Sequence, residues 1–241
     1  MQELAKYLYP RQGEMVELLR ELVELESPST DKAAVDRLGA CLKDRLEALG
    51  AEVEALIQEE AGNHLLARWG DGKGGALVLC HMDTVWPLGP LSGRPFRVEG
   101  GWAYGPGVLD MKAGIVIGLY AVRALQAVGR MSASPLTFLF NSDEEVESLT
   151  SRTAIVAEAK RSRVVYVLEP AIPPEGALKT ARKGVGRFQM GVKGRAAHAG
   201  SAPEEGRSAI VELAHQVLRL HSLNDPATGT PLNVGLIRGG I

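Results

Sequence analysis

Apolar residues recur at intervals of three and four along the first part of the chain. Within residues 13–25 they stand at Met15, Leu18, Leu19, Leu22 and Val23, and within residues 31–49 at Val35, Leu38, Leu42, Leu46 and Leu49. This spacing predicts two amphipathic helices, because positions three and four apart share one helix face. Gly50 follows the second and fits a C-cap. The period then shortens. Residues 52–57 and 64–69 read as short strands, residues 71–75 as a turn, and the run Ala76-Leu77-Val78-Leu79-Cys80 as a strand buried on both faces. Residues 84–107 are rich in Pro and Gly and read as loop, and residues 111–128 as a helix ended by Gly129. Residues 135–140 and 164–168 are further buried strands by the same pattern. Helices alternating with wholly apolar strands predict an α/β fold. Its sheet would be mixed and mainly parallel, with helices on both faces.

The pattern breaks at Pro170-Ala171-Ile172-Pro173-Pro174-Glu175-Gly176, whose prolines and glycine make a linker. Residues 177–182, 185–192 and 232–237 read as strands and residues 208–220 as a helix. Two domains are therefore expected, 1–174 and a smaller α+β unit over 177–241. The chain is expected to stop inside the second.

Composition narrows the partners. A formal net charge of -2 gives no basic field, which argues against nucleic acid. Hydrophobic content of 45% and charged content of 23% suit a globular protein. Cys41 and Cys80 are too few for a disulfide framework and fit a reducing compartment. Residues 1–20 mix Glu, Lys and Arg among apolar positions and lack the core of a signal peptide. The longest apolar stretch, near residues 115–122, is too short to span a bilayer. The reading is a cytoplasmic protein without a membrane partner.

Acid and imidazole groups gather where apolar runs stop. His81-Met82-Asp83 ends one run; the two side chains would share a strand face, one free to ligate metal and the other to receive the imidazole N–H. A polar turn explains the same residues equally well. Asp143-Glu144-Glu145 ends another run, and adjacent carboxylates can divide metal binding from general-base work. Ser142 with Glu145 also fits a capping box. Asp110 is either a helix cap or a carboxylate bridging metals, and Glu169 follows its strand directly. Strand ends converge in a parallel sheet, so their coincidence favours a metal site, and zinc best suits mixed imidazole and carboxylate donors. His64, His215 and His221 join no cluster and read as structural or surface residues. Cys80 reads as a buried thiol. His198 sits in a glycine-flanked turn, where an imidazole is more often functional. Gly105-Pro106-Gly107 lacks the last glycine of a dinucleotide fingerprint.

Taken in order, these motifs resemble the zinc-dependent exopeptidases and deacylases that include glutamate carboxypeptidase, aminoacylase and succinyl-diaminopimelate desuccinylase. The resemblance is carried by His81-Met82-Asp83-Thr84-Val85-Trp86-Pro87, Gly105-Pro106-Gly107-Val108-Leu109-Asp110-Met111-Lys112, Ser142-Asp143-Glu144-Glu145, Glu169-Pro170 and Gly194-Arg195-Ala196-Ala197-His198-Ala199-Gly200. Ser151-Arg152, Glu169-Pro170 and Ala202-Pro203-Glu204 lean toward the glutamate carboxypeptidase branch.

The resemblance implies roles. His81, Asp110, Glu145 and Glu169 would hold about two zinc ions per chain, with Asp110 bridging them. Asp83 would orient His81, Glu144 would act as general base, and His198 would polarise the scissile carbonyl across a dimer interface. Asn233 is a candidate substrate contact. Residues 1–174 become a catalytic domain whose C-terminal part lies outside this chain, and 177–241 part of a ferredoxin-like lid that forms a homodimer. Glu147 stands where the family usually has glycine, and Ala113 replaces another frequent glycine. The second zinc's His ligand cannot be identified here, so that metal would bind weakly. The implied function is amide hydrolysis in a short peptide or N-acyl amino acid, releasing a C-terminal residue such as glutamate. The alternatives are an N-acyl amino acid deacylase, and a non-catalytic binding module or inactive fragment.

Overall fold

A computed structural model describes residues 2–131 and 134–240. Ile241, the last residue of the expected second domain, lies outside them. The chain divides into two compact units, residues 1–179 and 180–241.

The first unit opens with α1 (Gln2–Leu8), α2 (Gln12–Glu24) and α3 (Lys32–Ala48). Sequence periodicity missed α1, which buries no side chain. Leu18, Leu19, Leu22 and Val23 are the buried stripe of α2, and Val35, Leu38, Leu42 and Leu46 contribute to that of α3. Asp31 caps α3 by accepting the Ala34 N–H at 2.8 Å. Gly50 has φ 79°, the left-handed conformation that ends a helix.

Strands β1 (Glu52–Leu56), β2 (His64–Trp69) and β3 (Ala76–His81) follow. The expected loop over 84–107 contains a small hairpin of β4 (Arg97–Glu99) and β5 (Trp102–Tyr104). Then come α4 (Ala113–Ala127), β6 (Leu136–Asn141), α5 (Arg152–Arg161) and β7 (Val164–Val167). The main sheet has the order β1-β2-β6-β3-β7. Its pairings are parallel across β6-β3-β7 and antiparallel across β1-β2-β6. The α/β fold with a mixed sheet is thus as the pattern predicts.

Alternation along the strands divides the sheet into two faces. Ala67, Val78, Cys80, Phe138 and Phe140 pack with α2, α3 and α4 in the larger core. Leu66, Leu77 and Leu139 face the other way, with Ala154, Ile155 and Ala159 of α5. No described helix is long and apolar enough to cross a membrane.

The second unit contains α6 (Ala209–His221), capped by Ser208, whose hydroxyl accepts the Val211 N–H at 3.2 Å. The runs 177–182, 185–192 and 232–237, expected as strands, form none among the described residues. Only isolated bridges occur, including Ile172 with Ala177, Arg195 with Arg207 and Asp225 with Thr230. An extended run becomes a strand only when a neighbouring backbone closes a ladder of hydrogen bonds in register, and these runs find no such neighbour.

Candidate metal centre

β3, β6 and β7 finish at the same edge of the sheet, so the residues that follow them converge, as open α/β sheets do at their sites. Met82 N donates to Asn141 O at 2.8 Å and Leu168 N to Leu79 O at 3.1 Å, which carries the pairing past the strand ends. His81 is the last residue of β3 and is buried. Its Nε2 lies 3.0 Å from Asp110 Oδ1 and 3.4 Å from Glu169 Oε1. Donor atoms of these three residues all fall within 4.8 Å of one another. Around a tetrahedral ion with bonds of about 2.0–2.1 Å, neighbouring donors stand roughly 3.3 Å apart.

Charge supports the same fit. Burial disfavours the His81 cation, yet hydrogen bonds with Asp83 and Glu169 push its pKa up to about 11. The bond to His81 holds the Glu169 carboxyl below its ordinary range. Asp110 and Glu169 place two carboxylate oxygens at Nε2, and a metal cation would satisfy them with the same donors.

Asp110 comes from an irregular turn, Val108–Lys112, rather than from a helix cap. Asp110 and Met111 have non-helical φ of -117° and -127°, the peptide between them is cis, and α4 begins only at Ala113. Gly107 enters the turn at φ 68°, and a Cβ there would lie 2.7 Å from Thr84 Cγ2. Gly114, one residue into α4, packs so closely that a Cβ would overlap the main-chain oxygen of Leu168. That contact sets the start of the helix beside the end of β7, and with it Asp110 beside Glu169.

Asp83 is buried and links three segments. His81 Nδ1 is 2.9 Å from its main-chain oxygen and 3.4 Å from its Oδ1, so the backbone carbonyl orients the imidazole at least as closely as the carboxylate does. The carboxylate accepts Glu144 N–H at 3.2 Å, Glu145 N–H at 3.1 Å and the Ser29 hydroxyl at 2.7 Å. Ser27 donates to Met82 O at 2.7 Å. Sequence reasoning missed both serines. The available signal was their place on either side of Pro28, which keeps the preceding residue extended, but nothing in spacing names Asp83 as a partner.

The acid run does not start a helix. Glu144–Val146 is a single 3-10 turn without a side-chain cap, and α5 begins later. The capping-box reading fails because the Ser142 hydroxyl turns inward to Gly62 O and His64 Nδ1. Glu147 and Ser148 follow with φ 81° and 53°. Burial raises the Glu144 carboxyl; His81 opposes this, and Glu169, Asp83 and Asp110 add to it. Burial likewise raises Glu145, against His81 and with Asp110, Glu144 and Asp83. Both glutamates therefore feel His81, Asp83 and Asp110, but Glu145 does not join the three-residue donor set.

Behind this loop lies a buried polar network that no spacing along the chain predicts. Asp143 Oδ2 accepts Thr150 N–H at 2.7 Å, the Thr150 hydroxyl at 2.7 Å and Ser151 N–H at 3.2 Å. Burial opposes ionisation of Asp143, but these donors hold its carboxyl below the ordinary range. His64, expected to be structural or at the surface, is buried here, with Nε2 3.1 Å from Thr150 Oγ1.

His198 and Asn233 belong to the second unit and are exposed. His198 Nδ1 accepts Gly200 N–H at 3.0 Å and Ser201 N–H at 3.2 Å, which leaves the hydrogen of a neutral ring on Nε2.

The sequence matches the profile described as Peptidase family M20/M25/M40 over residues 77–232. Carboxypeptidase G2 from Pseudomonas sp. (strain RS-16) is 34% identical over 233 residues, covering 95% of this chain and 56% of that protein. Acetylornithine deacetylase from Proteus mirabilis (strain HI4320) is 30% identical over 247 residues, covering 93% and 62% respectively. The chain spans about half the length of the curated relatives it matches. A solved M20 family metallo-carboxypeptidase, Sso-CP2 from Sulfolobus solfataricus, shares the fold with a TM-score of 0.64 at 21% identity, over 86% of this chain and 49% of that one. With the family profile covering most of its length, the chain belongs to peptidase family M20/M25/M40.

Proposed function

We propose that the chain carries the metal site of a hydrolase that cleaves an amide bond in a short peptide or N-acyl amino acid. The observation that carries this reading is the convergence of His81 Nε2, Asp110 and Glu169 within 4.8 Å. These residues would hold one zinc ion, and Glu145 a second with Asp110 shared. When bound, zinc polarises a carbonyl oxygen and makes water acidic near neutral pH.

The chain's own residues do the rest. Asp83 holds His81 with Nε2 toward the donor set, and it pins the main chain of Glu144 and Glu145. Glu144 takes a proton from the attacking water and returns it to the leaving amine. Burial, with nearby acids adding to it, raises its carboxyl from the ordinary range. His198 is assigned to the scissile carbonyl, since its exposed Nε2–H is a donor, and Asn233 to substrate contact. Release of a C-terminal residue such as glutamate is supported by the 34% identity to a carboxypeptidase. Deacylation of N-acyl amino acids is the second reading, supported by the 30% identity to acetylornithine deacetylase. A homodimer formed through residues 177–241 belongs to the same proposal.

Glu144→Ala should keep bound zinc and the folded state while lowering kcat by roughly 10²–10⁴-fold. Unchanged turnover in a metal-replete sample would reject Glu144 as the base. Metal analysis finding no zinc would reject the site itself. Rates on glutamyl amides against acetyl and succinyl amino acids separate the two substrate classes.

A further inference from the structure

We infer that His64 is a positioning residue for the acid loop: as the Nε2–H tautomer it donates to Thr150, Thr150 donates to Asp143, and this chain aims Glu144 and Glu145. The inference rests on the proposed reading that those glutamates serve the site.

The direction of the hydrogen bonds follows from the donors available. Ser142 N–H points at His64 Nδ1 from 3.2 Å, so that nitrogen accepts and carries no hydrogen. The Ser142 hydroxyl, 3.0 Å from the same nitrogen, shares its hydrogen between it and Gly62 O. The ring hydrogen therefore sits on Nε2 and points to Thr150 Oγ1, 3.1 Å away. Thr150 has one hydroxyl hydrogen, and it goes to Asp143 Oδ2 at 2.7 Å. The opposite tautomer would set an N–H against the Ser142 N–H. It would also make Nε2 compete with a carboxylate for the single Thr150 hydrogen. Only the Nε2–H form gives both ring nitrogens and the Thr150 hydroxyl a matching partner.

The row matters because of what Asp143 carries. Its main-chain oxygen accepts Val146 N–H at 3.3 Å and Ser148 N–H at 2.7 Å, so the loop folds around it. Its Oδ1 is buried without a hydrogen-bond partner among the described residues, which leaves Thr150 and Ser151 as the anchor of the side chain. Asp83 grips the Glu144 and Glu145 amides on the site side, and the row from His64 fixes the loop from behind.

Two measurements on the full chain test this. In long-range ¹H–¹⁵N spectra of histidine-labelled protein at neutral pH, His64 should show a protonated Nε2 and a bare Nδ1. A hydrogen on Nδ1 would overturn the inference. Thr150→Val should lower kcat roughly tenfold to a hundredfold with KM nearly unchanged, and Thr150→Ser should restore it. A Thr150→Val protein with a lower Tm but unaltered kcat would reduce the row to a structural role and overturn the proposal. If the unaltered protein hydrolyses nothing, the parent reading has failed, and amide exchange decides. Glu144 and Glu145 amides should exchange faster in Thr150→Val and at the original rate in Thr150→Ser. Equal rates in all three proteins would overturn the inference.

Discussion

Phe140 on β6 and Phe188 in the second unit both sit in apolar runs with strand-like composition. Phe140 is fully buried, and its strand pairs with β2 on one side and β3 on the other. Phe188 is 99% exposed and belongs to no ladder. None of the described residues 180–240 is buried, whereas the first unit has a core on both faces of its sheet. Side-chain pattern marks a segment as fit for a sheet; a neighbouring backbone in register makes it a strand. The same contrast separates the candidate residues. His81 and Asp83 are held by packed strands and hydrogen bonds, while His198 is fixed by its own turn alone.

The contrast has a large expected consequence. Phe140→Ala should destabilise the protein by about 3–5 kcal/mol, because a buried ring leaves a cavity. Phe188→Ala should change stability by less than about 0.5 kcal/mol. Denaturant titration of the two variants checks this, and equal losses would show that the two regions do not differ in packing as described.

A smaller effect concerns the buried His64. Burial lowers the His64 pKa from its ordinary 6.5; Asp143 and Asp83 oppose this, and Lys32 adds to it. The unfolded chain therefore takes up a proton first as pH falls. The stability due to neutral His64 is complete above pH 6.5 and is lost below it, until the folded state also protonates. The slope in that window is at most about 1.4 kcal/mol per pH unit. Tm measured from pH 7 to 5 should fall more steeply in the unaltered protein than in His64→Gln.

The smallest effect concerns Glu147, at φ 81°. A side chain in this left-handed region is strained, so Glu147→Gly should raise stability by about 1 kcal/mol. Denaturant titration again provides the measure.

What could be read in the sequence divides along the same physical line. Strands 76–81 and 136–141 were legible because their apolar runs are continuous and end abruptly in acid or imidazole. His81, Asp110 and Glu169 were legible because a parallel pattern sends such ends to one edge, and they meet there. The turn that presents Asp110 was not, since a helical pattern over residues 111–128 conceals the irregular backbone before Ala113. Ser29 bonds a carboxylate 54 residues away, and His64 a hydroxyl 86 residues away; no local period encodes either partner. Helix α5 escaped notice because only Glu158 is buried along it.

Gly114 gives the site a dependence that no donor residue reveals. Its bare α-carbon lets helix α4 seat directly on the Leu168 carbonyl, between the end of β7 and Glu169. The gap between Asp110 and Glu169 is thereby gauged by a backbone contact several residues along, like the stop on a caliper. Enlarging position 114 would open the caliper while leaving every acid and imidazole in the sequence intact. A survey of variants restricted to those groups would pass over the one small residue that spaces them.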